Sequence, residues 1–279
     1  MNSPIPAGHG RLNVEFVHGE SAAVSVMAAN PLKLLTPGAR GRSAWVYTSS
    51  FGGGLVAGDT TRLDVRIGPG ARCYLGTQAS AKVYRNPGRL PCGHVTRAVV
   101  EQGSLLVYTP DPVQAFAGST YTQHQIFDLA PDAGLVLLDW FTAGRAACGE
   151  RWAFHRFKSR NEVWCAANGS RHLTFLDSLL LDSAERDLTT PHAAGRFNCL
   201  ALLLLLGPPV RETASMLLDQ IAAQPVEKRA ALACSASPLL DGAVLRIAGE
   251  RSDHVAHELH RHLQHLHNLL GDDPWARKW

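Results

Sequence analysis

"RLDVRIGPGARCYLG", residues 62–76, decides the fold. Leu63, Val65 and Ile67 alternate with polar residues, so a strand here would put them on one face. Gly68-Pro69-Gly70 breaks that strand, and the alternation resumes at Ala71, Cys73 and Leu75. The same strand–turn–strand plan recurs in "RAVVEQGSLLVYT", "QIFDLAPDAGLVLLDW" and "EVWCAANGSRHLTFLD". Their turn glycines, Gly70, Gly103, Gly134 and Gly169, fall 33, 31 and 35 residues apart. Such spacing predicts stacked strand pairs in a β-helix-like or layered arrangement; the alternative is an ordinary β-sandwich with hairpins of similar length.

Beyond about residue 195 the pattern changes. "RFNCLALLLLLG" and "RETASMLLDQIAAQ" read as helices, and "PLLDGAVLRIAGE" returns to strand. A last helix is expected from Ser252, as N-cap, to Leu270, ending at Gly271. Val255, Leu259, Leu263, Leu266 and Leu270 form its apolar stripe. The expectation is one domain over 1–279, mainly β, with a strand-rich body over about 12–195 and a small helical, mixed part over about 196–279.

Composition excludes several classes. Hydrophobic residues make up 46% of the 279, ample for a core, and 25 Gly with 16 Pro supply many turns. A formal net charge of +3, without a basic run, gives no case for nucleic acid. The six cysteines include no C-x-x-C pair and read as reduced thiols. The start lacks the basic and apolar regions of a secretion signal, and "CLALLLLLG" is too short for a membrane span. A cytoplasmic protein is expected, with no membrane partner.

"FGGGLVAGDTT", residues 51–61, resembles a phosphate loop only in its glycines. Asp59 follows Gly58 where a P-loop needs a lysine, and the G-x-G-x-x-G spacing fails by one residue. The remaining reading is a tight turn in which glycine supplies positive φ or close backbone approach. No serine elbow and no H-E-x-x-H occurs, and acids such as Asp59, Asp64, Asp111, Asp139, Asp177 and Glu150 cannot be paired from sequence. In "HVAHELHRHLQHLH", His254, His257 and His265 fall opposite the leucine stripe, where they could share a borderline metal or make up a solvated face. Thr77, Gln78, Lys82, Tyr84 and Arg85 follow a strand, and Arg145 and Glu150 sit among glycines.

Several of these stretches together resemble the urease accessory protein family UreD, also called UreH. The likeness rests on "GGGLVAGD" (52–59), "TQASAKVYR" (77–85), "YTPDPVQAFAGSTYTQ" (108–123) and "TAGRAACGERW" (142–152). It continues through "FLDSLLLD" and "GRFNCLALLLLLG" to "DPWARKW". Ala81 and Gly76 stand where the family usually has threonine, and Tyr108 where tryptophan is common. The resemblance implies a two-layered β-helical body and a non-enzymatic scaffold. Its implied partners are UreF, the GTPase UreG through UreF, and the urease apoenzyme, with a dimer within the accessory complex. It also implies transient Ni²⁺ on its way into urease, with no permanent cofactor. On that reading Asp59 and Glu150 are candidate metal contacts. Gly53, Gly54, Gly58, Thr77, Gln78, Lys82, Tyr84, Arg85 and Arg145 belong to a partner-facing or nickel-path surface, the cations fixing strands or docking a partner. Two rivals are a β-helical carbohydrate-active enzyme, which would need a paired-carboxylate cleft, and a nickel store built on His254, His257 and His265.

Overall fold

The computed structural model describes residues 5–38, 41–90, 92–167, 169–225 and 227–277. Met1 to Pro4 of the expected domain, Asn168 of the Gly169 turn, and Lys278 and Trp279 of "DPWARKW" lie outside them.

Eighteen strands form along the described chain. The first run is β1 (His9–Val17), β2 (Glu20–Ala28), β3 (Leu32–Leu35), β4 (Ala44–Ser50), β5 (Gly54–Leu55) and β6 (Thr60–Ile67). Next come β7 (Arg72–Thr77), β8 (Lys82–Val83), β9 (Gly93–Val100), β10 (Leu105–Tyr108), β11 (Val113–Ala115) and β12 (Thr120–Leu129). The last are β13 (Gly134–Thr142), β14 (Arg156–Ala167), β15 (Ser170–Asp182), β16 (Cys199–Leu206), β17 (Leu232–Leu239) and β18 (Gly242–Gly249). Three helices, α1 (Arg211–Ala222), α2 (Ser252–Leu263) and α3 (Leu266–Leu270), follow β16 and β18.

The chain winds as a solenoid, in agreement with the repeat spacing. β1, β6, β9, β12 and β14 stack in parallel as the middle of a first sheet. β4, β7, β10 and β13 stack in parallel in a second. Each coil crosses from the first sheet to the second; Gly70 and Gly103 make two of these corners at φ +70° and +64°, where a β-carbon would be strained. The short parallel strands β5, β8 and β11 form a third wall. Antiparallel strands close the stacks, with β2 and β15 at the two ends of the first sheet and β3 and β17 at the ends of the second.

Stacking in register lines like residues into columns. Val65, Ala98, Phe127 and Val163 are successive partners along the first sheet and lie in the core between the sheets. The second sheet is covered on both faces. Leu202, Leu204 and Leu206 of β16 face the first sheet, while Ala201, Leu203 and Leu205 pack with Ala214 and Leu217 of α1 and Val255, Leu259 and Leu263 of α2.

Three expectations are corrected. "RFNCLALLLLLG" contains the strand β16 rather than a helix: burial on both faces removes the polar alternation that marks a strand. The Gly169 repeat does not cross between sheets, because β14 and β15 pair antiparallel as a hairpin within the first. The last helix divides at Gln264 and His265, and its N-cap is Arg251, without a side-chain cap from Ser252. Its apolar stripe is buried as expected, and Gly271 ends it in the left-handed conformation.

Candidate functional site

The core between the sheets is apolar toward the Gly70 and Gly103 corners and polar at the opposite side. Thr61, His94, Gln123 and Ser159 are register partners on β6, β9, β12 and β14, so they form one column on the inner face of the first sheet. Thr96, Gln125 and Asn161 form the next column. Thr61 Oγ1 lies 2.7 Å from His94 Nδ1, and His94 Nε2 lies 2.8 Å from Thr96 Oγ1. Burial pushes the His94 imidazole down to about 4, so it is neutral at physiological pH.

Asp139 faces this seam from the second sheet. It continues the inward row of Leu135 and Leu137 on β13 and is 8% exposed. Gln123 Nε2 donates to its Oδ1 at 2.6 Å; Ser159 Oγ and Asn161 Nδ2 donate to Oδ2 at 2.6 and 2.7 Å. All three donors are neutral, and among the described residues no ion pair reaches this carboxylate. Burial raises its pKa, and the three hydrogen bonds oppose that shift.

Two cavities share Asp139 as a wall. One, of about 120 Å³, is lined by Thr61, His94, Gln123, Gln125 and Asp139, and reaches Thr77, Asp111 and Gly53. The other, of about 390 Å³, lies between β14–β15 and β16–β18 and is lined by Asp139, Ser159, Asp177 and Arg246. Oxygen donors, a neutral imidazole and one buried anion could bind a divalent cation weakly and let it go.

The residues expected from sequence divide among four places. Thr77 and Gly53 line the smaller cavity; Thr77 Oγ1 donates to Asp111 Oδ2 at 2.8 Å, and Gln78 Oε1 accepts from Ser49 Oγ at its edge. A second group meets around Phe116 on the third wall. Tyr84 packs edge-on to Phe116, the Arg145 guanidinium lies 4.5 Å from that ring, and Glu150 accepts from Arg145 and from the Ala117 amide. The Arg145 hydrogen bond holds the Glu150 carboxyl below its usual range. Lys82 and Arg85 are exposed nearby, Arg85 packing beside Gly118.

Close approach decides Gly54, since a β-carbon there would lie 2.4 Å from the Lys82 carbonyl oxygen. Gly53 and Gly58 adopt positive φ, as the tight-turn reading requires. Asp59 accepts from the Val56 amide at 2.9 Å, closing its own turn, and lines neither cavity. His254 and His257 are exposed and His265 half-buried on the helical layer, away from the seam. Among the described residues no group of three or more His, Cys, Asp or Glu side chains is placed to hold a metal.

Sequence reasoning missed the seam. Its signals were an acid inside the apolar run "LVLLDWF" and two glutamines at core-facing positions of "TYTQHQIFDL".

The family model described as "UreD urease accessory protein" matches residues 7–279. The chain belongs to the UreD family. It is 47% identical to the urease accessory protein UreD of Sorangium cellulosum, over 98% of this chain and 85% of that protein. It is 41% identical to the UreD of Anaeromyxobacter, over 97% and 89% of the two chains. With urease accessory protein D of Arabidopsis thaliana it shares 32% identity, over 96% of this chain and 99% of the relative. Urease accessory function accords with this membership, and these UreD relatives carry accessory rather than enzyme names. No helix among the described residues is long and apolar enough to cross a membrane.

Proposed function

We propose that this chain matures urease in the cytoplasm without catalysing a reaction itself. It holds UreF, and through UreF the GTPase UreG, against apo-urease, and it passes nickel through its interior as cargo. The observation that carries the passage is the buried carboxylate of Asp139, shared as a wall by two cavities. With only neutral donors around it, that anion offers a cation favourable charge with no resident cation to displace. The threonine, glutamine, serine and asparagine oxygens beside it are weak ligands, and conduction needs weak successive sites rather than one tight one.

The test is co-expression of a cognate urease and its remaining accessory proteins with this chain, with its Asp139→Asn variant, or without it. Urease-bound nickel and activity should appear with the wild-type chain and fall on the order of tenfold or more with Asp139→Asn. Equal nickel with and without the chain would remove the maturation role. Equal nickel with wild type and Asp139→Asn would remove the passage while leaving the scaffold.

A further inference from the structure

The larger cavity ends at an ion pair. On the second sheet Asp139, Leu202 and Arg246 are register partners across β13, β16 and β18. On the first, Asn161 and Asp177 are partners across β14 and β15. Strands lie about 4.8 Å apart, so the Arg246 backbone stands about 10 Å outward from that of Asp139. Asp177 stands one strand outward from Asn161, which donates to Asp139. Arg246 then crosses the gap between the sheets to donate to Asp177 at 2.9 Å, and both side chains line the cavity. With side chains 55% and 22% exposed, Arg246 and Asp177 form its rim, whereas Ser159 and Asp139 are buried at its inner end.

We propose that the Arg246–Asp177 pair is a latch across the outer mouth of the Asp139 cavity. Closed, it places a permanent guanidinium charge at the opening, which repels a divalent cation and occupies the Asp177 carboxylate. Open, it withdraws that charge and frees Asp177 as an oxygen ligand two positions along from the buried site. The rim can open because β15 ends the first sheet and one strand, β17, separates β18 from the end of the second, while α1 and α2 pack on the far face of β18. An exposed ion pair is weak enough to be broken by a partner or by the cargo. The latch regulates the passage proposed above and rests on that reading for its purpose, but its movement is measurable without urease.

Leu202 is 7% exposed, lines the cavity and lies in register between Asp139 and Arg246, so Leu202→Cys places a thiol behind the latch. The full chain carrying this reporter is treated with N-ethylmaleimide, and modification of each cysteine is followed by mass spectrometry. Arg246→Ala and Asp177→Ala should each speed modification at position 202 on the order of tenfold. The charge-swapped pair, Arg246→Asp with Asp177→Arg, should return it to near the starting rate. Amide hydrogen exchange at Asp177 and Ser235, compared between wild type and Arg246→Ala, reads the same opening without a reporter.

Unchanged modification and exchange in the single variants would overturn the latch, as would a swapped pair as fast as the singles. Either result stands apart from nickel loading with Asp139→Asn, which tests the passage alone.

Discussion

Two carboxylates, Asp139 and Glu150, are held in opposite ways. Asp139 is buried between the sheets and receives hydrogen bonds only from neutral groups, so burial raises its pKa. Glu150 lies at the outer corner of the third wall and takes its hydrogen bonds from the Arg145 guanidinium and the Ala117 amide, which lower its pKa. A carboxylate matched with arginine is neutralised where it stands and fastens two loops together. A carboxylate sunk among amides and hydroxyls costs stability as an anion and leaves its charge unmatched. The second arrangement is poor structural engineering unless a cation visits. The nickel passage proposed above therefore places function where the electrostatics are unfavourable.

The comparison breaks most directly at Asp139. Replacement by alanine takes the acceptor from three buried donors, of which Gln123 Nε2 keeps Ser159 Oγ at 2.9 Å; each donor left unpaired costs about 1–3 kcal/mol where cavity water does not replace the acceptor. Asparagine is the cleaner variant, because the Gln123 amide can turn over and the Ser159 hydroxyl can rotate to suit it. Asp139→Asn is expected to fold normally while nickel loading of co-expressed urease drops on the order of tenfold. Loading equal to wild type would mean that the charge at 139 has no part in maturation.

The second largest effect is structural and falls on the other carboxylate. Gly54→Ala drives a methyl group against the Lys82 carbonyl oxygen at 2.4 Å and the Tyr84 ring at 2.7 Å. Chemical denaturation should show a loss of about 1–3 kcal/mol, the usual cost of overpacking. This disturbs the wall carrying Tyr84, Phe116 and Arg145, where Gly53 and Leu55 also border the smaller cavity, but it removes none of the hydrogen bonds to Asp139. Nickel loading should consequently fall only as far as the amount of folded protein falls. A loss of loading well beyond that of folded chain would give this third wall a part in transfer.

These contrasts explain which features were legible in the sequence. The alternation of "RLDVRIGPGARCYLG" is local, and a period of two with a glycine corner survives in any solenoid coil. β16 was not legible, because Leu202 and Leu203 are buried on opposite faces and their polarity cannot distinguish strand from helix. Thr77, Gly53 and Gly54 could be singled out through family resemblance and glycine chemistry. Asp139 could not be placed, since its meaning comes from Gln123 on β12 and from Ser159 and Asn161 on β14, brought to it from the opposite sheet. Local patterns carry the coils; the seam arises only when coils stack.

Titration of stability sharpens the comparison further, because the two carboxylates must bend the pH profile in opposite senses. Asp139 has a folded pKa above its usual 3.8, so its stabilising contribution is complete below that value and is lost as pH rises through the folded pKa. Asp139→Asn should therefore gain in Tm relative to wild type as pH rises from about 4 to 7. Glu150 has a folded pKa below its usual 4.5, so its contribution is present above that value and is lost as pH falls through the folded pKa. Glu150→Gln should be slightly less stable than wild type near neutrality and converge with it in acid. Differences of the same sign for both variants would mean that one carboxylate has been assigned the wrong environment.

The smallest effect is expected on the helical layer. His254 and His257 are exposed, and the described residues place no third ligand with them. His262 has a fixed place on that helix, buried with its Nε2 3.0 Å from Glu258 Oε1, and His260 packs on the Trp275 ring; His262 together with Arg261 draws the Glu258 carboxyl down to about 2. Replacing His254 and His257 together by alanine removes two solvated rings and should leave nickel loading and thermal stability at wild-type values. Calorimetry with nickel chloride supplies the stricter comparison. Binding by the wild-type chain that disappears in this double variant and persists in Asp139→Asn would move the anion-and-cation logic from the interior to this surface, and make the helix a store rather than a covering for the second sheet.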